Sequence, residues 1–163
     1  MKTKLKKTTG FTLIELLLYV GIMGVIIFSF AGFLSLLMQS RIKNQVVSEV
    51  EQQGIQVMQM ITQIGRNAGN INYPAPGQIT DSLSFDSTVF DRLNNAVRIT
   101  EGTDSPTSLT NSHLIASNLT FQNLSRVGTP GTVRIQLTLT YANPSGRNEY
   151  NYSKTFYGTA SLR

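Results

Sequence analysis

Glu15 is the only acidic or basic side chain between Gly10 and Ser40, and it heads a run from Leu16 to Met38 with no Asp, Glu, Lys or Arg. An ionised group inside hydrocarbon costs on the order of 2.5–3.5 kcal/mol at a helix centre and less near an end, so this carboxylate calls for a cationic partner. The rest of the chain offers little reactive chemistry. His113 is the sole histidine, and with no Gly-x-Ser-x-Gly segment it has no support as the base of a hydrolytic triad. Its setting, Thr110 to Ile115, reads as a loop entering a strand. Zinc is disfavoured by the lack of cysteine and of a second histidine. Asp81, Asp86 and Asp91 are spaced by five, and Glu101 and Asp104 flank a loop. Neither set follows the alternating oxygen-ligand spacing of a calcium loop, so solvated loop carboxylates are the expected reading. No catalytic residue, no metal site and no cofactor is expected.

The element that positions Glu15 is a helix. About 20 apolar residues at 1.5 Å rise each cross a bilayer, and the run from Leu16 to Met38 exceeds that. Lys2, Lys4, Lys6 and Lys7 precede it with no acid among them, which predicts a cytoplasmic amino end under the positive-inside rule. The apolar stretch is too long for a secretory signal core, and its best late small-x-small site, Ser29 to Ala31, is poor. The absence of cysteine excludes a lipoprotein box. A basic leader ending in Gly10 remains, with cleavage on its cytoplasmic side as the expectation.

Gly10-Phe11-Thr12-Leu13-Ile14-Glu15-Leu16-Leu17 resembles the class III leader junction of type IV pilins and type II secretion pseudopilins. The resemblance covers these eight residues together with the basic leader and the apolar helix. It implies cleavage by a prepilin peptidase after Gly10, N-methylation of Phe11, and an assembly role for Glu15 as the fifth residue of the mature chain. The physics is compatible: cutting at Gly10 exposes an ammonium on Phe11 within about one turn of Glu15. In a staggered stack of helices, Glu15 of one subunit would neutralise the Phe11 ammonium of its neighbour, and the buried pair would fix register. Without cleavage, Glu15 would instead snorkel to the interface of a plain anchor. Gly21, Gly24 and Gly32 interrupt the run; they serve close helix packing, or let the helix loosen as a subunit leaves the bilayer. The chain departs from the family at Gly32, where many members carry proline, and in lacking the disulfide that closes a carboxyl-terminal loop in many pilins.

Beyond Met38 the pattern becomes amphipathic. Val47, Val50, Gly54, Val57, Ile61, Ile64 and Ala68 recur at spacings of three and four, opposite a polar face that includes Lys43, Glu49, Gln52 and Gln56. One helix is therefore predicted from about Thr12 to about Ala68, ended by the loop signals of Asn67 to Gly77. Residues 132–141 alternate with period two, and with Tyr150–Tyr157 and the Asn143–Gly146 turn they predict an antiparallel hairpin. Weaker strands are expected at Ile79–Phe85, Ala96–Thr100 and Leu119–Leu124. The fold class is α+β: a long amino-terminal helix packed through its carboxyl half on a small antiparallel sheet. The expected division is a leader over 1–10, a membrane-spanning or filament-core helix over 11–40, and a periplasmic or extracellular domain over 41–163, with an amphipathic helix over 41–69 and a sheet over 79–161.

Charge narrows the partners. The chain carries +5, but with the four leader lysines set aside the residues from Phe11 onward hold ten bases and nine acids, a net of +1. Nucleic acid is not favoured, which counts against a DNA-uptake pilin. The expected function is a structural subunit of a pilus or pseudopilus, not an enzyme, and a minor pilin or pseudopilin in particular. Its partners would be prepilin peptidase, other pilin or pseudopilin subunits, an inner-membrane assembly platform and membrane lipid. A simple membrane-anchored binding domain is the alternative from another class.

Overall fold

The computed structural model describes residues 10–126, 128 and 130–163; the lysines of the basic leader lie outside them. The chain divides into two compact units, one ending at Arg41 and one running from Ile42 to Arg163. One helix, α1, spans Leu13–Asn67. Its predicted ends are met to within a residue, because no breaker interrupts the sequence before Asn67.

Among the described residues the first unit is helix alone, apart from Gly10, Phe11 and Thr12 ahead of it. None of its described residues is buried. Phe28 is 84% exposed, and the large apolar side chains from Leu13 to Met38 lie open along all sides. The helix is long and apolar enough to cross a membrane. Ser29 turns its hydroxyl inward, Oγ donating to the Val25 carbonyl at 2.9 Å, so this polar group needs no partner beyond its own helix.

In the second unit, two antiparallel sheets cover the carboxyl part of α1. The strands are β1 (Ile71–Tyr73), β2 (Ile79–Thr80), β3 (Leu83–Phe85), β4 (Thr88–Leu93), β5 (Ala96–Glu101), β6 (Thr107–Ser108), β7 (Leu114–Asn123), β8 (Thr132–Tyr141) and β9 (Ser153–Ser161). One sheet has the order β1-β3-β4-β5-β6 and the other β2-β7-β8-β9. The single small sheet expected from sequence is thus two sheets, and the expected strand over Ile79–Phe85 is split between them. Residues Asp81 and Ser82 carry the chain across, β2 pairing with β7 and β3 with β4. The sheet region also begins earlier than residue 79, since Ile71–Tyr73 forms an edge strand where loop chemistry was expected. The β8–β9 hairpin has the expected pairing, from Thr132↔Ser161 to Thr140↔Ser153.

The core joins Val50, Val57 and Ile61 of α1 to Phe85, Phe90, Phe121, Ile135 and Leu137 of the sheets. The buried helical stripe is Val46, Val50, Gly54, Val57, Met58, Ile61 and Gly65. Val47 and Ile64, expected in it, are only half-buried. Sheet residues approach the helix most closely at glycine: a Cβ on Gly54 would lie 2.2 Å from the Phe156 ring, and one on Gly65 would lie 2.8 Å from the Ala160 methyl. The expected strand at Leu119–Leu124 is a ten-residue strand whose period-two pattern breaks at a bulge between Ala116 and Asn118. The bulge returns Leu119, Phe121 and Asn123 to the buried face.

Candidate functional site

The residues singled out in the sequence gather at the start of α1. Thr12 occupies the position before the first helical residue, and its carbonyl accepts from the Glu15 N–H at 3.1 Å and the Leu16 N–H at 3.2 Å. Glu15 therefore sits in the first turn, where the unpaired amides of a helix start favour a negative charge by about 0.3–1 kcal/mol. Thr12-x-x-Glu15 ahead of an apolar run is also the residue pattern of a capping box. That pattern is legible in the sequence, although the expectation for Glu15 rests on its charge alone. Among the described residues Glu15 has neither a hydrogen bond through its carboxylate nor an ion pair.

Gly10 and Phe11 lie just ahead of the helix and are exposed. The Phe11 ring leans on Tyr19, centroids 5.6 Å apart and planes tilted by 48°. Gly10, Phe11 and Glu15 are thus brought together at one helix end. Gly21, Gly24 and Gly32 are not part of that group. They lie farther along α1, the helix runs unbroken through all three, and no other described part of the chain comes within 4 Å of a Cβ built on any of them. At 3.6 residues per turn they fall within an arc of about 80°, so they form one small-residue flank.

The second unit uses its ionisable groups to fasten loops and strands to each other. Asp86, at φ 41° in the β3–β4 turn, accepts from the Gly69 N–H at 2.8 Å and the Asn70 N–H at 3.0 Å and so anchors the chain leaving α1. Asp91 holds Arg98 with two bonds of 2.9 and 2.6 Å across β4 and β5. His113 is exposed, with Nδ1 3.4 Å from the Glu49 carboxylate, and its ring lies against Tyr141. Asn111 bonds the same carboxylate, so Glu49 ties this loop to α1. No hydroxyl is bonded to His113 among the described residues. Glu51 accepts from Lys154 Nζ at 2.6 Å and from the Tyr152 hydroxyl at 3.2 Å. The Lys154 hydrogen bond, with its charge, holds Glu51 below the usual carboxylate range, and the Glu51 hydrogen bond holds Lys154 above its own. Burial pushes Tyr152 up, and its bond to Glu51 adds to the shift.

Chemically, the arrangement offers one carboxylate without a partner at the start of an uncovered apolar helix, and a domain whose other carboxylates are largely engaged. Among the described residues no three His, Asp or Glu side chains gather where a metal ion could be held. Comparison with family models, curated proteins and solved structures returns no match.

Proposed function

We propose that this chain is a structural subunit of a type IV pilus or type II secretion pseudopilus, with minor pilin or pseudopilin as the closest description. The observation that carries the reading is the junction itself: Gly10, Phe11 and Glu15 at the mouth of an apolar helix whose large side chains are exposed among the described residues. An uncovered helix of this kind must be housed by lipid or by other helices. In the proposed mechanism a prepilin peptidase cuts after Gly10 and Phe11 becomes the methylated amino terminus. Glu15 then neutralises the Phe11 ammonium of a neighbouring subunit. The charge favours that register, because removing one partner would leave the other unpaired in an apolar setting. The flank of Gly21, Gly24 and Gly32 lets neighbouring helices approach. An inner-membrane platform moves the subunit from bilayer to filament, and the second unit is displayed outside.

The test is intact mass and amino-terminal sequencing of the membrane-extracted protein, made with and without a prepilin peptidase and beside Gly10→Val. Peptidase-dependent loss of residues 1–10 with a methylated Phe11, absent in the variant, is the expected result. A full-length product under every condition would overturn the reading in favour of a plain anchored binding domain.

A further inference from the structure

The second unit carries one long free strand edge. β9 is the last strand of its sheet, and its pairing with β8 has no bulge. The Tyr141 N–H donates to the Tyr152 carbonyl and the Leu162 N–H to the Gly131 carbonyl, both in the β8–β9 register. Even-numbered residues of β9 therefore bond to β8, and Ser153, Thr155, Tyr157, Thr159 and Ser161 direct their N–H and C=O groups outward. Nothing among the described residues pairs with these outward groups. The other sheet edges, β1, β2 and β6, are three residues long or shorter. Long edges are ordinarily protected by proline, bulges or outward charge, and β9 has none of these: its lysine, Lys154, is on the helix side and paired with Glu51.

Beside this edge lies a groove of about 770 Å³ between β9 and α1. Ile55, Met58 and Phe156 give it apolar walls, and Gly158, with no side chain of its own, leaves room for the Met58 methyl. Tyr157 also borders the groove and is 70% exposed. Arg66 and Arg163 line the groove as well, and no acidic side chain is among its lining residues. Neither guanidinium has an ion-pair partner among the described residues.

We propose that the β9 edge binds an extended segment of a partner protein by strand addition, the segment placing alternate apolar side chains in the groove and a carboxylate against Arg66 and Arg163. Main-chain bonds to Thr155, Tyr157 and Thr159 supply affinity, and the groove selects side chains at every second position. A second copy of this chain is the poorer occupant: its own β9 brings Lys154 and no acid, so it cannot match the two arginines. The inference stands on the second unit alone and is independent of the filament reading.

The test uses the full chain in detergent and two labelled peptides, acetyl-Asp-Thr-Val-Thr-Val-Thr-Val-amide, which puts Asp and the valines on one face of a strand, and its lysine-first counterpart, followed by fluorescence anisotropy and amide hydrogen exchange. The expected result is binding of the acid-first peptide at least tenfold tighter than its counterpart, with the outward amides of Thr155, Tyr157 and Thr159 slowed. Thr159→Pro removes an outward N–H while leaving every β8 bond in place, an edge position where proline is tolerated, and should weaken binding at least tenfold. Arg66→Glu, at an exposed helix position, should reverse the charge preference and covers the case in which the proline variant does not fold. Undiminished binding to a folded Thr159→Pro chain, binding without protection of the outward amides, or binding of neither peptide would overturn the proposal. So would protection that appears on raising protein concentration alone, since that outcome identifies a second copy as the occupant.

Discussion

Phe28 and Phe121 are the same side chain in opposite circumstances: the first is 84% exposed on α1, and the second is fully buried between α1 and the sheets. The difference repeats along the whole of α1. From Leu13 to Met38 its large apolar side chains are exposed on every side; from Val46 its apolar residues narrow to a stripe that two sheets bury. A uniformly apolar helix and an amphipathic one have different solvents in view, hydrocarbon in the first case and a protein core with water behind it in the second. One continuous helix is thus written in two patterns.

The strongest way to break that contrast is a matched pair of truncations. Phe121→Ala should lower the unfolding free energy of the second unit by about 3–5 kcal/mol, whereas Phe28→Ala should leave it within about 0.5 kcal/mol, both measured by denaturant titration in detergent. A comparable fall for Phe28→Ala would mean that the first unit is covered by the second. Glycines give a second pair. Gly54→Val forces a side chain into the Phe156 ring and should cost about 1–3 kcal/mol, while Gly24→Val meets open space and should leave unfolding unchanged.

Buried polar groups sharpen the comparison in a different way. Asn123 Nδ2 donates to the Pro74 carbonyl at 2.6 Å, and its Oδ1 accepts from the Ser125 N–H at 2.9 Å. Asn123→Ala strands both partners in the core and should cost about 1–3 kcal/mol in the same titration. Glu15 has no such partner, so Glu15→Leu should leave the second unit's stability untouched.

The smallest effect is expected at the Glu51–Lys154 pair, which is solvent-screened. Glu51 is held below its ordinary value, so its contribution is present above the ordinary carboxylate range and is lost as pH falls through the lowered folded-state value. Lys154 is held above its ordinary value, so its contribution is present below that value and is lost as pH rises through the raised one. Thermal melts across pH should show Glu51→Gln slightly less stable between the two limbs, with the difference from the parent chain vanishing below the lowered Glu51 value and above the raised Lys154 value.

The two halves were not equally legible in the sequence. Both ends of α1 could be read because an apolar run opens directly after Gly10 and no breaker intervenes before Asn67. The β8–β9 hairpin could be read because period two holds without a slip. What escaped depends on contacts distant in sequence. The crossing at Asp81 and Ser82 moves the chain between sheets within two residues, and local pattern cannot reveal a change of sheet. The bulge at Ser117 shifts the period of β7, so only its second half reads as a strand. The helical stripe was misplaced at Val47 and Ile64: their neighbours Val46 and Gly65 are the buried residues, and Gly65, which lies below Ala160, carries no hydrophobic signal. At the site, the placement of Glu15 in the first turn was legible from spacing, while the free β9 edge and its paired arginines required the folded sheet.

The central claim is that the apolar part of α1 is housed by a bilayer or by other helices while the second unit is exposed to water. The chain has no cysteine, so single substitutions report without background. The most direct measurement is labelling of Phe28→Cys and Tyr157→Cys in intact membranes with a membrane-impermeant maleimide. The account predicts rapid labelling at position 157 and none at position 28 until the chain is denatured. Equal labelling at both positions would contradict it.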